Sequence, residues 1–196
     1  MEKCIEILGS EQLTKNTEIY CICILRRLCS NPQYKAELTP KCLTLFIEKL
    51  KKFSRRNNTF ALKEISAALG SVSTVAEICE KITDSDCIEI LLESCIRNID
   101  STRYVKTTIG ALVNFSLYER NRDRIANNSN FYTLASQVLV KYISSAFILD
   151  YILRLILNAI AHSNCLYHFS TPTVIDSCVK VMQRFKTDEN LTYYAL

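Results

Sequence analysis

The feature that most constrains this chain is a pattern that recurs every 43 or 44 residues. Four stretches align in their apolar and polar positions: CICILRRLCSNPQYKAEL (21–38), ISAALGSVSTVAEICEKI (65–82), GALVNFSLYERNRDRIANNSNFYTLASQVL (110–139) and ILRLILNAIAHSNCLYHF (152–169). One position in each stretch serves as a marker: Arg27, Ser71, Asn114 and Asn158, separated by 44, 43 and 44 residues. This period is typical of stacked helical repeats, in which each unit buries its apolar face against the next.

Four positions counted from the marker are apolar in all four stretches. They are Leu25, Leu69, Leu112 and Ile156 two residues before it; Leu28, Val72, Phe115 and Ala159 one after; Leu38, Ile82, Ile125 and Phe169 eleven after; and Ile47, Leu91, Leu134 and Cys178 twenty after. Only 48% of the chain is hydrophobic, so four fully apolar columns are not expected by chance. The columns predict the buried faces of the repeats.

Each unit is predicted to contain a long helix, a short helix and a second long helix. The first long helices are predicted at 17–30, 60–73, 104–117 and 148–162, the short ones at 32–38, 74–82, 121–127 and 164–170, and the second long ones at 41–54, 85–98, 130–144 and 173–186. Pro40 and Pro172 precede predicted helix starts, where proline is tolerated. The repeats then span about 17–59, 60–103, 104–147 and 148–190, with 1–16 as the remnant of a preceding repeat and 191–196 as the start of a following helix.

The composition agrees with an all-α fold. The chain has only three Gly and three Pro, fewer than a protein with many strands and turns would need. Ten Cys occur mostly among apolar neighbours at helical positions, which predicts buried, reduced thiols and a cytoplasmic or nuclear location. No secretory signal is visible, and the longest apolar stretch, 146–161, is too short to cross a bilayer.

The stretch ALVNFSLYERNRDRIANNSNFYTLASQVL resembles the armadillo repeat of β-catenin and importin-α relatives, in which a helix carrying A-L-x-N-L-S precedes N-x-x-x-I and a final apolar helix. The second Asn of that pattern is matched by Asn121, with Tyr34, Ile78 and Cys165 in the other units. The resemblance covers about 17–186. It implies a right-handed α-α superhelix of four repeats with partial repeats at both ends, acting as a non-catalytic scaffold that binds a peptide or helical segment of another protein.

The resemblance also implies a concave groove along the four helices that carry the markers, which we call the marker helices. Residues seven and four positions before the marker share a helix face with it. We therefore expect the groove to contain Tyr20, Cys23, Arg27, Glu64, Ala67, Ser71, Thr107, Gly110, Asn114, Tyr151, Arg154 and Asn158.

Two roles are open for the asparagines of this stripe. Asn114 and Asn158 can pair with the main chain of a bound segment, since an amide both donates and accepts, or they can brace adjacent repeats. Arg27 and Arg154 can add a contact to a carboxylate or phosphate. Importin-α-like grooves place Trp one turn before the Asn, but this chain has no Trp, so nuclear-signal recognition by that mechanism is not expected.

Basic residues suggest a different kind of partner. Lys49, Lys51, Lys52, Arg55 and Arg56 cluster near the end of a predicted helix. A solvated helix end is the simpler interpretation, and nucleic acid or another acidic surface is the alternative, which a steep loss of binding with salt would reveal. Arg120, Arg122 and Arg124 form a second such patch.

The predicted ends give another alternative, self-association. Neither end resembles a polar capping repeat, so a dimer or a longer superhelix could form through the ends. Catalysis is not expected, because the chain has two His and lacks a phosphate loop or a nucleophile motif. His162, Cys165 and His168 lack a fourth ligand pair, so neither a metal site nor a cofactor is predicted.

Overall fold

The described residues of the computed structural model, 2–10, 13–73, 76–161 and 165–196, are helical and contain no strand. The helices are α1 (Glu2–Gly9), α2 (Lys15–Cys29), α3 (Pro32–Arg55), α4 (Thr59–Val72), α5 (Ala76–Thr83), α6 (Cys87–Arg97), α7 (Thr102–Ser116), α8 (Glu119–Ala126), α9 (Ser129–Lys141), α10 (Ala146–Ile160), α11 (Leu166–Phe169), α12 (Pro172–Arg184) and α13 (Glu189–Ala195). The predicted all-α class is confirmed.

Local sequence signals explain several helix starts. Polar side chains accept hydrogen bonds from the first-turn backbone: Asn58 from Ala61 N at 3.2 Å and Asn128 from Asn130 N at 2.9 Å. Thr171 caps α12, and Pro172 follows at its first position, where no hydrogen-bonded N–H is needed.

One predicted boundary is wrong. A short helix at 32–38 and a separate helix beginning after Pro40 were expected, but α3 is one continuous helix with Pro40 inside it. Asn31 caps α3 and Pro32 occupies its first turn, so the helix starts at the favourable signal and continues through Pro40. Proline removes one backbone donor within a helix without necessarily ending it.

The helices pack in two sets. The marker helices contact one another in the order α2, α4, α7 and α10, and α13 follows α10 in this set. The helices α3, α6, α9 and α12 contact one another in that order. Gly70 of α4 permits the close approach of α7, because a Cβ there would lie 3.1 Å from Ala111 Cα. The interior between the two sets forms one apolar cluster.

The apolar columns largely lie in this interior. Leu25, Leu69 and Leu112 are fully buried, and Ile156 is 8% exposed. The side chain of Leu38 lies outside the described residues, and Leu28, Ile47 and Cys178 are only half-buried. Seven of the ten cysteines are buried, as predicted from their apolar neighbours.

Hydrogen bonds connect positions 41 to 44 residues apart. They join Arg97 to Ser54, Asn98 to Asn57, Thr108 to Ser66, Asn114 to Gly70, Asn121 to Cys79, Tyr142 to Ile99 and Asn158 to Ser116. Each therefore links positions about one sequence period apart.

Candidate partner-binding groove

A cavity of about 370 Å³ lies across the marker helices α4, α7 and α10. We call it the groove cavity. Its lining includes six residues of the predicted stripe: Ala67, Ser71, Thr107, Gly110, Asn114 and Tyr151. The remaining lining residues are Ser66, Gly70, Lys106 and Ala111. The structure thus brings together the middle of the predicted stripe at one concave surface.

Small residues keep the floor of the groove cavity close to the helix backbones. Gly110 has no side chain, and a Cβ built there would lie 3.8 Å from Tyr151 Cε1, an ordinary van der Waals distance. The ring of Tyr151 on α10 therefore forms a wall beside the open space above Gly110 on α7. We call this space the Gly110 slot.

The two asparagines of the stripe brace neighbouring helices. Asn114 Nδ2 donates to Gly70 O at 2.9 Å, and Asn158 Nδ2 donates to Ser116 Oγ at 2.8 Å. Bracing, one of the two predicted roles, is therefore present in the structure. Both side chains remain half-buried, and Asn114 also lines the groove cavity, so a second contact through the amide is sterically accessible.

Arg154 is held by residues of its own chain. Its guanidinium donates to Asp150 one turn earlier on α10 and lies over the rings of Tyr151 and Tyr194, 5.5 and 6.0 Å from their centroids. The hydrogen bond that Arg154 donates to Asp150 is the main cause that raises the pKa of Arg154. Because Tyr194 belongs to α13, Arg154 connects α10 to the last helix and is less available to a partner than the sequence suggested.

Glu64 does not fit the predicted stripe. Its side chain is buried and forms ion pairs with Arg26 Nε at 2.7 Å and Lys63 Nζ at 2.8 Å. This corrects its assignment as a partner-binding residue, because a carboxylate between two cations is already satisfied. Tyr20 and Arg27 on α2 are exposed and lie outside the lining of the groove cavity.

The predicted stripe leaves out one cation that lies at the groove, Lys106. Lys106 lines the groove cavity, and its Nζ lies 4.1 Å from the centroid of the Phe147 ring on α10. Lys63 stands at the equivalent position on α4, with its Nζ 4.8 Å from the Phe60 centroid. A periodic signal was present, since both lysines stand eight residues before their markers and both phenylalanines eleven before.

The five predicted basic residues do not form one surface. Lys49 is buried, and its Nζ lies 2.9 Å from Glu18 Oε1; Lys52 Nζ lies 2.6 Å from the same oxygen. This corrects the predicted patch, because these two lysines neutralise a buried carboxylate on α2. Lys51 pairs with Asp86 at 2.6 Å, whereas Arg55 and Arg56 are exposed.

Ion pairs also offset the positive charges of the second basic patch, Arg120, Arg122 and Arg124. Arg120 lies 3.3 Å from Asp84, and Arg124 lies 2.7 Å from Glu89 and donates to Thr83 O. Carboxylates of the preceding unit therefore offset two of its three positive charges, which reduces the field that an acidic polymer would meet.

The described part of the chain contains no group of three or more His, Cys, Asp and Glu that could hold a metal ion. His162 of the HSNCLYH segment lies outside the described residues, and His168 stacks on Tyr132 with ring centroids 3.8 Å apart. Within the described ranges, the helices are too short or too polar to cross a membrane. No family model matches the chain, and the comparison with curated proteins finds no match.

Proposed function

We propose that this chain is an armadillo-like solenoid, a right-handed superhelix of about four repeats, and that it binds a segment of another protein in the groove on its marker helices. The hydrogen bonds between positions 41 to 44 residues apart support the repeat, since they join equivalent regions of successive units. The two consecutive sets of helix contacts are those expected of stacked units.

The observation that carries the binding proposal is the groove cavity itself. The stripe chosen from the sequence and the concave surface share Ala67, Ser71, Thr107, Gly110, Asn114 and Tyr151. Hydroxyl and amide groups over a floor of small residues suit a bound main chain, which needs both donors and acceptors close to its backbone. Binding without catalysis is the function that this set of side chains supports best.

Pull-down from a native lysate with a blocked groove tests this proposal. Gly110→Leu fills the Gly110 slot, and Gly9→Leu is the matched control, because Gly9 is another helical glycine whose Cβ would meet only Leu45 Cδ2 at 3.9 Å. We expect proteins captured by the wild type and by Gly9→Leu to be lost with Gly110→Leu. Helicity and the urea midpoint are measured for all three. Equal capture by a folded Gly110→Leu would refute binding at this groove.

Self-association is a second candidate function, and the surface of α12 favours it. Ile175 and Val179 are 53% and 39% exposed and occupy one face of α12, beside exposed Leu166 and Leu196. Together with neighbouring apolar residues they line a cavity of about 310 Å³. An exposed apolar surface of this kind is typical of interaction sites.

Light scattering after size exclusion separates the two candidates. Self-association through α12 predicts a dimer or larger species that Val179→Glu converts to a monomer, whereas Gln183→Glu, an exposed change on the same helix, has no effect. A wild-type protein that stays monomeric at tens of micromolar would contradict this second candidate.

A further inference from the structure

Two buried cysteines meet where α2 packs against α3. Cys29 is the last residue of α2, Cys42 lies within α3, and both side chains are fully buried. The thiol of Cys42 donates a hydrogen bond to the sulfur of Cys29. The two sulfur atoms are therefore direct neighbours, and a disulfide between them requires only that they approach to about 2.05 Å. We call these two residues the dithiol pair.

The ion pairs of Glu18 place the same two helices in the same register. Lys49 Nζ and Lys52 Nζ of α3 lie 2.9 and 2.6 Å from Glu18 Oε1, near the start of α2. Cys29 lies about 16 Å along α2 from Glu18, and Cys42 lies about 10–15 Å back along α3 from the two lysines. The two helices are therefore antiparallel, with the ion pairs at one end of their contact and the dithiol pair at the other.

The hydrogen bond gives the two sulfurs different acidities. It lowers the pKa of Cys29, its acceptor, and outweighs the opposing effect of burial there. The same bond, together with burial, raises the pKa of Cys42. Burial raises the pKa of Cys87 and of Cys95 as well. Because the thiolate is the form of cysteine that attacks an oxidant, Cys29 is the sulfur of the dithiol pair that reacts first.

The chain beside the dithiol pair gives a small oxidant a route to it. Residues 30–33, which directly follow Cys29, are all exposed. Pro40, two residues before Cys42, is exposed too, and it lacks the N–H that would bond four residues back within α3. Helix ends open locally at a much smaller cost in free energy than global unfolding. Opening of the last turn of α2 therefore exposes Cys29 while the rest of the core stays packed.

We propose that Cys29 and Cys42 are a redox-active pair that a small hydroperoxide, such as hydrogen peroxide, oxidises to a disulfide joining the end of α2 to α3. The Cys29 thiolate attacks one peroxide oxygen, the O–O bond breaks, and the departing hydroxide takes up a proton to become water. Cys42 Sγ then attacks the sulfenic acid at Cys29, the S–O bond breaks, and the Cys42 proton leaves with the hydroxide as a second water. The two sulfurs together lose the two electrons that reduce the peroxide.

Peptide mapping of the whole chain tests this chemistry. Trypsin cleaves after lysine and arginine, so Cys29 falls in the peptide 28–35 and Cys42 in the peptide 42–49, each with no other cysteine. The reduced protein is treated with a small excess of hydrogen peroxide, alkylated in denaturant and digested. We expect one cross-linked species, lighter by two hydrogen atoms than the sum of the two peptides, which dithiothreitol separates again.

Two alanine variants distinguish a reactive pair from general oxidation of cysteines. Cys42→Ala removes the second thiol, so oxidation should stop at the sulfenic acid of Cys29, which dimedone traps. Cys95→Ala is the matched control, because Cys95 is also fully buried within a helix, and it should form the cross-link as the wild type does. Peroxide should raise the urea midpoint of the wild type and of Cys95→Ala but not that of Cys42→Ala, since the cross-link constrains the unfolded chain.

The mapping of the wild type decides the proposal even if a variant fails to fold. Full alkylation of Cys29 and Cys42 after peroxide treatment, with oxidation at other cysteines, would overturn it. So would a cross-link between Cys4 and Cys21, whose sulfurs lie close enough for their charges to interact. A cross-link that forms only above the urea midpoint would show that the native contact does not promote the reaction, and would overturn the proposal too.

Discussion

At the scale of single residues, two glycines on neighbouring marker helices have opposite roles. A Cβ at Gly70 would lie 3.1 Å from both the Cα and the Cβ of Ala111, so it would push α4 away from α7. A Cβ at Gly110 would meet only the Tyr151 ring, at 3.8 Å or more. Gly70 is therefore needed for packing, and Gly110 leaves space at the surface.

This difference predicts effects of opposite sign for the same substitution. Both alanine variants gain helix propensity, worth about 0.5–1 kcal/mol, because both sites are helical. Gly110→Ala should therefore raise the free energy of unfolding by that amount. Gly70→Ala should lower it by about 1–3 kcal/mol, since a backbone atom must move. Urea denaturation of both variants checks the pair, and two equal shifts would contradict the packing role.

Glu18 is a buried carboxylate that two lysines hold in place. Burial by itself raises its pKa, but the hydrogen bonds and charges of Lys52 and Lys49 outweigh burial and lower the pKa below its usual value of 4.5. A group whose pKa is lower in the folded state stabilises the protein fully above its unfolded-state pKa. This contribution is lost as the pH falls toward the folded-state pKa. The contribution of Glu18 is therefore lost progressively as the pH falls below 4.5.

We expect Glu18→Gln to destabilise the chain at neutral pH by about 3 kcal/mol, because two lysines lose their buried counter-charge. The difference between wild type and variant should shrink as pH falls below 4.5. Unfolding midpoints measured from pH 7 to acid check this. Glu48→Gln, at an exposed position on α3, is the control. A difference that stays constant with pH would show that the ion pairs are not its source.

At the scale of helices, the sequence predicted the marker helices closely and α3 poorly. The helix at 60–73 was expected and Thr59–Val72 is observed, because Asn58 caps its start and apolar periodicity defines its length. Pro40 was instead expected to precede a helix start, but α3 begins at the Asn31 cap and Pro32. The local preference for proline at a helix start applies equally to Pro32 and Pro40. The choice between these two starts depends on packing between segments that are distant in sequence.

Pro40 gives a test of the continuous helix. Within a helix, proline lacks the N–H that would bond four residues back, and costs about 3 kcal/mol relative to alanine. Pro40→Ala should therefore raise the urea midpoint if α3 is continuous. If a helix began near Pro40, the same change would remove a favourable first-turn residue and leave the midpoint unchanged or lower. Pro32→Ala, at the first turn of α3, is the matched control and should have little effect.

The residues of the candidate site were also predictable only in part from the sequence. Helical spacing was sufficient to find Ser71, Thr107, Gly110 and Asn114 on one surface, since these positions depend only on the turn of the helix. It could not tell that Glu64 is enclosed by Arg26 and Lys63, because that depends on the packing of α2 against α4. The sequence shows which side chains share a face, whereas a partner on another helix, such as Arg26 for Glu64, is found only in the folded chain.

At the scale of the whole molecule, many contacts join consecutive helices of the same set, such as α4 with α7 and α7 with α10. Leu112 on α7 is fully buried, with α4 on one side and α10 on the other. Leu191 on α13 is also buried, and α13 packs mainly against α10 and α12. A stack held by neighbour contacts should lose stability locally at its ends and cooperatively at its centre.

Hydrogen exchange can measure this difference with one substitution at two places. Leu112→Ala removes the same atoms as Leu191→Ala, and a buried leucine truncated in this way costs about 2–5 kcal/mol. We expect Leu112→Ala to accelerate exchange from α4 through α10, because the central helices lose a shared contact. Leu191→Ala should accelerate exchange only in α13 and in the helices that it packs against, α10 and α12. If both variants accelerate exchange uniformly along the chain, the molecule unfolds as one unit, and the neighbour-dependent stack on which the groove proposal rests is wrong.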